Sequence, residues 1–500
     1  MIRTTRKQFL SGATALAVPQ RGPAAATPAA TPAARPKNVL FLLSDQHRPH
    51  AMGIDGDPLA RTPHMDALAR TGVRFDDAYC TNPVCTPSRA SILTGLYTHH
   101  HRTWNNATPW PFGHKTAAYY FGRAGYMSAL IGKMHFVDAQ THGFDYRLDF
   151  NDWFQQLGPK ARVYAEELSR ANSGSGNPQI DDLWRDFGDP WKGTRTLDGR
   201  KGSVHTGRAS QLEEPQHFES FVARESVRFL EKHGKEQPFF LISSFLKPHD
   251  PFMPAERFAR MYSPDAMKLP ASWGKVDMAN VPGEIRDSIQ RSASTPELLD
   301  ESHARTRIAM YYASLAQVDE AIGQVLATLK RLGLEDDTIV VYSSDHGEML
   351  GEHGLWGKTV FYEPSVGVPL IVRAPGVTGA GLRSKSPVSQ VQLVPTLLEL
   401  CGIPAPAGFD GPSLVGNLRE PSRVSSDPVY AEYALQTPRA KYMIRHGRYK
   451  YCHYVNDTPE LYDLQADAEE MRNLAAAPSH KDKAAELKQR LFDWHTPPEK

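Results

Sequence analysis

The 500-residue sequence predicts an α/β fold: a large, mostly parallel central sheet flanked by helices, plus a small C-terminal α+β subdomain with a short antiparallel sheet. Three observations carry this. Apolar runs of strand length recur along the chain, helix-patterned segments separate them, and charged or polar residues stand directly after several of the runs. Strands alternating with helices mark a sheet built from crossover connections.

The first run, Asn38-Val-Leu-Phe-Leu-Leu-Ser44, is continuous rather than alternating, as expected of a strand covered on both faces of a parallel sheet. Residues 127–131, 238–244, 338–343 and 368–372 read the same way. The clearest helix spans 305–332, where Ile308, Tyr312, Leu315, Val318, Ile322, Val325 and Leu329 recur at three or four. Gly333 is its expected stop. Residues 155–215 are rich in Gly, Ser, Asp, Arg and Trp, with Tyr164, Trp184 and Trp191, and read as an irregular excursion near the active face. The pattern changes after 417. A hairpin is expected around His446-Gly447, then Tyr462-Asp463-Leu464, then an amphipathic helix over 481–494. The reading is a catalytic domain over 37–417 and a C-terminal subdomain over 418–500.

Hydrophobic content of 40% and charged content of 23% indicate a globular chain. Lys+Arg (57) and Asp+Glu (56) nearly cancel, so nucleic acid is not an expected partner and any anion site must be local. The four cysteines, Cys80, Cys85, Cys401 and Cys452, imply no fully paired disulfide framework, although Cys80 and Cys85 could pair. Thr5-Arg6-Lys7-Gln8-Phe9-Leu10 resembles a twin-arginine export motif with Lys for the second Arg. The apolar run after it is well short of the ~20 residues that span a bilayer. Residues 19–36 form an Ala/Pro/Thr linker. Residues 1–36 are thus expected to be a signal and linker, the mature protein periplasmic or secreted, and no transmembrane segment is expected.

Four strand ends deliver chemistry. Asp45 ends the first run; Lys133 and His135 follow the second, Lys247 and His249 the third, Asp345 and His346 the fourth. Ligands of open α/β sheets bind beyond such ends. A fifth element is Cys85-Thr86-Pro87-Ser88-Arg89. Thr86 suits an N-cap and Pro87 the first helical position, which puts residue 85 at a helix N-terminus, facing free N–H groups. Arg89 can grip an oxyanion with two parallel hydrogen bonds. The carboxylates of Asp45 and Asp345 suit a hard cation, whereas His346 suits manganese or zinc better than calcium.

In this order the motifs resemble the sulfatases of the alkaline phosphatase superfamily over about residues 37–475, nearest the choline-sulfatase-like branch. The stretches that carry it are Asn38 to Asp45, Cys85-Thr-Pro-Ser-Arg-Ala-Ser-Ile-Leu-Thr-Gly95, Gly125-Tyr126, Gly132-Lys-Met-His-Phe136 with His142-Gly-Phe144, Lys247-Pro-His-Asp-Pro-Phe252, Ser344-Asp-His-Gly-Glu348, Lys358, Val368-Pro369 and Glu460-Leu-Tyr-Asp-Leu464. The resemblance implies an alkaline-phosphatase-like sandwich and a sulfuric ester hydrolase acting on a sulfated carbohydrate or small-molecule sulfate ester. It implies that Cys85 is converted to formylglycine by a formylglycine-generating enzyme, and that the hydrated aldehyde is the nucleophile. Asp45, Gln46, Asp345 and His346 would hold a divalent metal, calcium by expectation with manganese as the alternative. Lys133 and Arg89 would steady the nucleophile and the oxyanion, His135 would take the diol proton, Lys358 and Lys247 would bind sulfate oxygens, and His249 would protonate the leaving alcohol.

Gln46 departs from the two consecutive acids of many sulfatases. Branches that hydrolyse phosphate or phosphonate esters share Asp-Gln, so a phosphodiesterase or phosphonate monoester hydrolase is the second reading. A non-catalytic glycan-binding protein is the third, if Cys85 is never oxidised. His99-His100-His101 cannot all face one ion from a regular element and read as a solvated loop or substrate contact. Trp104 and Trp110 fit pocket and core equally.

Overall fold

The first apolar run becomes β1 (Asn38–Asp45), buried at every residue. The computed structural model describes residues 37–110, 113–136, 141–171, 207–293 and 300–495. The expected signal and linker, and Trp184 and Trp191, lie outside the described residues. The next strands are β2 (Val73–Phe75), β3 (Ala78–Tyr79), β4 (Met127–Gly132), β5 (Tyr146–Leu148), β6 (Phe239–Pro248), β7 (Thr338–Ser344), β8 (Leu370–Arg373), β9 (Leu382–Ser384) and β10 (Val388–Ser389). An 8-stranded sheet runs in the order β5-β4-β6-β1-β7-β8-β2-β9.

β1 is parallel to both β6 and β7, and β6 is parallel to β4. Alternate residues of these strands feed two cores. Leu40, Leu42, Leu241, Val340 and Tyr342 face a core completed by Ile308, Leu315, Val318 and Ile322 of the helix Glu301–Arg331. Val39, Phe41, Phe240, Ile339 and Val341 face the other, with Phe121, Leu393 and Leu397. Burial on both faces is why the runs read as continuous. The long helix is capped by Asp300, whose side chain accepts from the His303 amide, and Gly333 beyond it has a φ of +69°.

Two expectations need correction. The run at 368–372 forms β8, but β8 is antiparallel to β7 and β2. The chain leaves β7 and returns directly through the short helix Glu363–Val366, without the crossover that a parallel return requires. The 155–215 stretch is regular where it is first described: Lys160–Ala171 is a helix. Tyr164 docks that helix edge-on against Trp153, and Glu167 accepts from the Ser210 hydroxyl at 2.7 Å and the Gln211 amide at 2.6 Å.

The C-terminal part forms a second sheet of β11 (Val429–Tyr433), β12 (Lys441–His446), β13 (Tyr449–Tyr454) and β14 (Glu460–Asp463), all antiparallel. The helix Lys481–Trp494 packs Leu487 and Leu491 onto Tyr442, Ile444 and Tyr451. Among the described residues no helix is long and apolar enough to cross a membrane. All four cysteines are free.

Gly132 ends β4 at a φ of +112°, and a Cβ there would lie 1.9 Å from the Ser244 carbonyl oxygen. Gly132→Ala should therefore destabilise the protein by about 3 kcal/mol or more and misplace Lys133. Thermal melting beside turnover checks this; an unchanged melting temperature would contradict the packing described.

Candidate active site

The helix Cys85–Thr94 is buried along its whole length and starts one residue before the expected cap. Val84 occupies the cap position in extended conformation, without a side-chain cap. Thr86 is not the cap because its groups are engaged elsewhere. Its amide donates to Asn106 Oδ1 at 3.0 Å and its hydroxyl to the His135 carbonyl at 3.3 Å. Cys85 still lies in the first turn, where amides without helical partners and the dipole favour negative charge.

One turn on, Arg89 ties together four strands: the last residue of β1, the residues that follow β4 and β7, and a serine within β6. Its Nε donates to Asp345 Oδ2 at 2.9 Å, and one terminal nitrogen donates to Asp45 Oδ2 at 3.0 Å. The other terminal nitrogen donates to the Lys133 carbonyl at 2.8 Å and to Ser244 Oγ at 2.9 Å. With Oδ2 of each aspartate held by Arg89, their Oδ1 atoms face the cluster. Asp345 Oδ1 accepts the Gln46 and His346 amides at 3.1 and 3.0 Å. Asp45 Oδ1 lies 3.9 Å from Cys85 Sγ and 3.9 Å from His346 Nε2. Burial alone would raise the Asp45 carboxyl, but Lys133, His249 and Arg89 outweigh it and hold the group well below the usual carboxylate range.

The other expected residues close around Cys85 Sγ. His346 Nε2 is at 3.1 Å, Lys133 Nζ at 3.6 Å and Lys358 Nζ at 3.7 Å. Lys133 also pairs with Asp45. His346 Nδ1 donates to the Gly347 carbonyl at 3.0 Å, so its Nε2 presents a lone pair. Burial pushes its imidazolium pKa down, which keeps the ring neutral. Lys358 donates onward to His249 Nε2 at 2.8 Å and to Gln46 Oε1 at 2.5 Å. His249 Nδ1 binds the Asp250 carbonyl and its Nε2 is 3.8 Å from Asp45 Oδ1. His135, held at a φ of +53°, has its pKa pushed well down by burial, then by Lys133 and Arg89. Lys247 engages its own turn instead: its ammonium donates to the Pro251 carbonyl at 2.6 Å and its amide to Glu219 at 3.0 Å.

Three supporting residues escaped the sequence reading. Glu348 accepts from the Gln46 amide nitrogen and from the Leu350 and Gly357 amides at 2.9 and 2.7 Å. Asp250 accepts from the same Gln46 nitrogen at 3.2 Å. Both lie inside quoted motifs, which was the available signal. Gln390 accepts from Ser88 Oγ at 3.1 Å and donates to the Ser344 carbonyl at 2.5 Å, and nothing local marks it. The histidine run is not a solvated loop but the short helix Thr98–His101. His101 is buried, and burial pushes its pKa to about 3. Trp110 is buried against Phe136 and His142, whereas Trp104 packs on the C-terminal core.

The donor set fits a divalent metal. Single ligand atoms of Asp45, Cys85, Asp345 and His346 lie within 4.8 Å of one another. The Gln46 side-chain amide oxygen faces the same ammonium that reaches Cys85. Carboxylate and amide oxygens suit calcium, and the imidazole admits manganese.

Fold and site together define an alkaline-phosphatase-like hydrolase, and its family follows from comparison with known proteins. A family model described as Sulfatase matches residues 37–403, and one described as N-sulphoglucosamine sulphohydrolase, C-terminal, matches residues 351–496. The chain belongs to the sulfatase family. It is 31% identical over 455 residues to the choline-sulfatase of Rhizobium meliloti, covering 88% of this chain and 83% of that one. The phosphonate monoester hydrolase of Silicibacter pomeroyi superposes with a TM-score of 0.76 at 26% identity, covering 92% of this chain and 96% of that one. A protein solved with its substrate D-glucosamine-2-N,6-O-disulfate gives 0.69 at 25% identity, covering 92% and 97%.

Arg89→Lys keeps the charge but cannot span both aspartates. It should lower turnover by about 10²–10³-fold and destabilise the fold by about 3 kcal/mol, because buried carboxylates lose partners. Steady-state kinetics and thermal melting check this; near-wild-type values in both would remove Arg89 from its central place.

Proposed function

We propose that this protein hydrolyses a sulfate ester of a sugar or small alcohol, with residue 85 matured from cysteine to formylglycine. The observation that carries the reading is the placement of Cys85 Sγ: in the first turn of a buried helix, beside His346 and within 3.7 Å of two lysine ammoniums. Its Sγ marks where the aldehyde-derived oxygens would stand. When hydrated, that group supplies one hydroxyl to attack sulfur and a second whose deprotonation releases sulfate.

The remaining work falls to the chain's own residues. Lys133 and Lys358 hold negative charge at residue 85 and at the sulfuryl oxygens. His135, kept neutral, is the acceptor for the hydroxyl proton. His249 is set by its bond to the Asp250 carbonyl, so that Nε2 faces the site to carry a proton to the leaving alcohol. Asp45, Gln46, Asp345 and His346 would hold a divalent cation, calcium or alternatively manganese, which supplies polarisation of the sulfuryl oxygens. Lys247 retains a proposed part in sulfate binding. A formylglycine-generating enzyme is the proposed maturation partner, and export is proposed from residues 5–10 alone.

Gln46 favours one second reading, a phosphonate monoester hydrolase or phosphodiesterase, in keeping with the Silicibacter pomeroyi structure. Turnover of an aryl sulfate, an aryl phosphodiester and a phosphonate monoester by matured protein discriminates the two, and negligible sulfate turnover would sink the first. A mass spectrum of the tryptic peptide Phe75–Arg89 reads the state of residue 85 directly. Cys85→Ala should abolish turnover and change stability by no more than about 1 kcal/mol, because the helix start relies on no side chain of residue 85. His249→Ala should cost about 10²–10⁴-fold on substrates with poor leaving groups and much less on activated aryl esters. Equal losses on both would take His249 out of the acid role.

A further inference from the structure

Away from the catalytic cluster, three potential ligands converge where the helix Thr98–His101, β11 and the end of the helix Lys481–Trp494 meet. One ligand atom each from His99, Glu432 and His495 lies within 4.8 Å of the others. The three adjacent histidines point three ways: His101 to Ser91 at 3.0 Å, His100 to Asp410 at 2.8 Å, and His99 to Glu432. Glu432 is fully buried. Both of its oxygens lie 2.9 Å from His99 Nδ1, and one also accepts the His99 amide at 2.7 Å. Among the described residues no Lys or Arg pairs with this carboxylate. A buried carboxylate needs a counter-charge, and the groups that face this one are the His99 imidazole and backbone amide. The His495 ring lies against His99, with centroids 4.2 Å apart, and among the described residues its nitrogens make no hydrogen bond.

We propose that His99, Glu432 and His495 form a second, non-catalytic divalent-metal site, suited to zinc. Two imidazoles and one carboxylate are zinc's own donor types, and the two histidines are partly exposed, so a water can take the fourth position. Tetrahedral donors around zinc stand ~3.4 Å apart, so the His99–Glu432 pair opens by a few tenths of an ångström and His495 moves in. The ion would place a fixed positive charge against the buried Glu432 carboxylate. It would also clamp together the segment after the Cys85 helix, the C-terminal sheet and the last helix.

The test uses the full chain saturated with calcium and then equilibrated with zinc. Bound zinc is counted by elemental mass spectrometry, and melting is followed with and without zinc. Wild type should hold one more zinc equivalent than His495→Ala or His99→Gln, and only wild type should melt higher with zinc. Zinc affinity in the variants should fall by at least the ~10-fold that loss of an outer-shell partner alone costs. Asp345→Asn, which disables the catalytic metal set, should keep this zinc, and His495→Ala should keep turnover. Equal zinc content and equal zinc-dependent melting in wild type and His495→Ala would overturn the proposal and leave His99 and Glu432 as a proton-sharing pair. Because residue 495 follows the last helix, its variant decides the matter even if His99→Gln does not fold.

Discussion

One guanidinium holds this site in place. Arg89 bonds to carboxylates from the ends of two strands, to the carbonyl that follows a third, and to a serine on a fourth. Asp45 and Asp345 are both fully buried, so their negative charges would repel each other without a cation between them. A lysine could satisfy only part of this set. The planar fork of arginine matches it, and the bonds it makes leave one oxygen of each aspartate turned toward residue 85. The fold must therefore deliver Arg89 from a helix to a point that four strands share.

The sheet order makes that possible. β4, β6, β1 and β7 are consecutive neighbours and all parallel, so their carboxyl ends lie in one row. Each strand is anchored from both sides by its own core, so the row is stiff where the chemistry requires precision. The pairing of β1 with β6 shifts register between Leu43 and Asp45. Such irregularities beside a site re-aim a side chain, here the carboxylate that Arg89 and Lys133 share. β6 continues to Pro248, which carries the turn bearing His249 past the other strand ends.

What the sequence revealed follows the same physics. Strands buried on both faces leave continuous apolar runs, so β1, β4, β6 and β7 were legible, and the polar residues after them gave the row of functional groups. The helix Glu301–Arg331 was legible because one core sets its periodicity. The direction of β8 was not, because an apolar run carries no orientation and only the lack of a crossover decides it. The helix Lys160–Ala171 was hidden in a polar segment, where Tyr164 packs on the preceding helix and Glu167 works through residues far away in sequence. The role of Thr86 was misread for a related reason: Asn106 takes its amide, and no local pattern announces that partner. Glu348 and Asp250 lay in plain view within motifs, but their acceptor roles depend on where Gln46 points.

Gln46 shows how a departure at one position can be met by its surroundings. Its side-chain nitrogen donates to both Glu348 and Asp250, and this fixes the amide so that its oxygen faces Lys358. An acid at position 46 would set a third carboxylate against those two acceptors, a like-charge contact in a desolvated place. The amide removes that repulsion and still presents an oxygen. The lost charge is thus not an isolated substitution, because two carboxylates stand behind it that an acidic residue could not face. The same arrangement holds Lys358, which donates to the Gln46 oxygen, to His249 and to Cys85 with the three protons an ammonium has. Residue 46 therefore shapes the proposed metal set on one side and the cation beside residue 85 on the other.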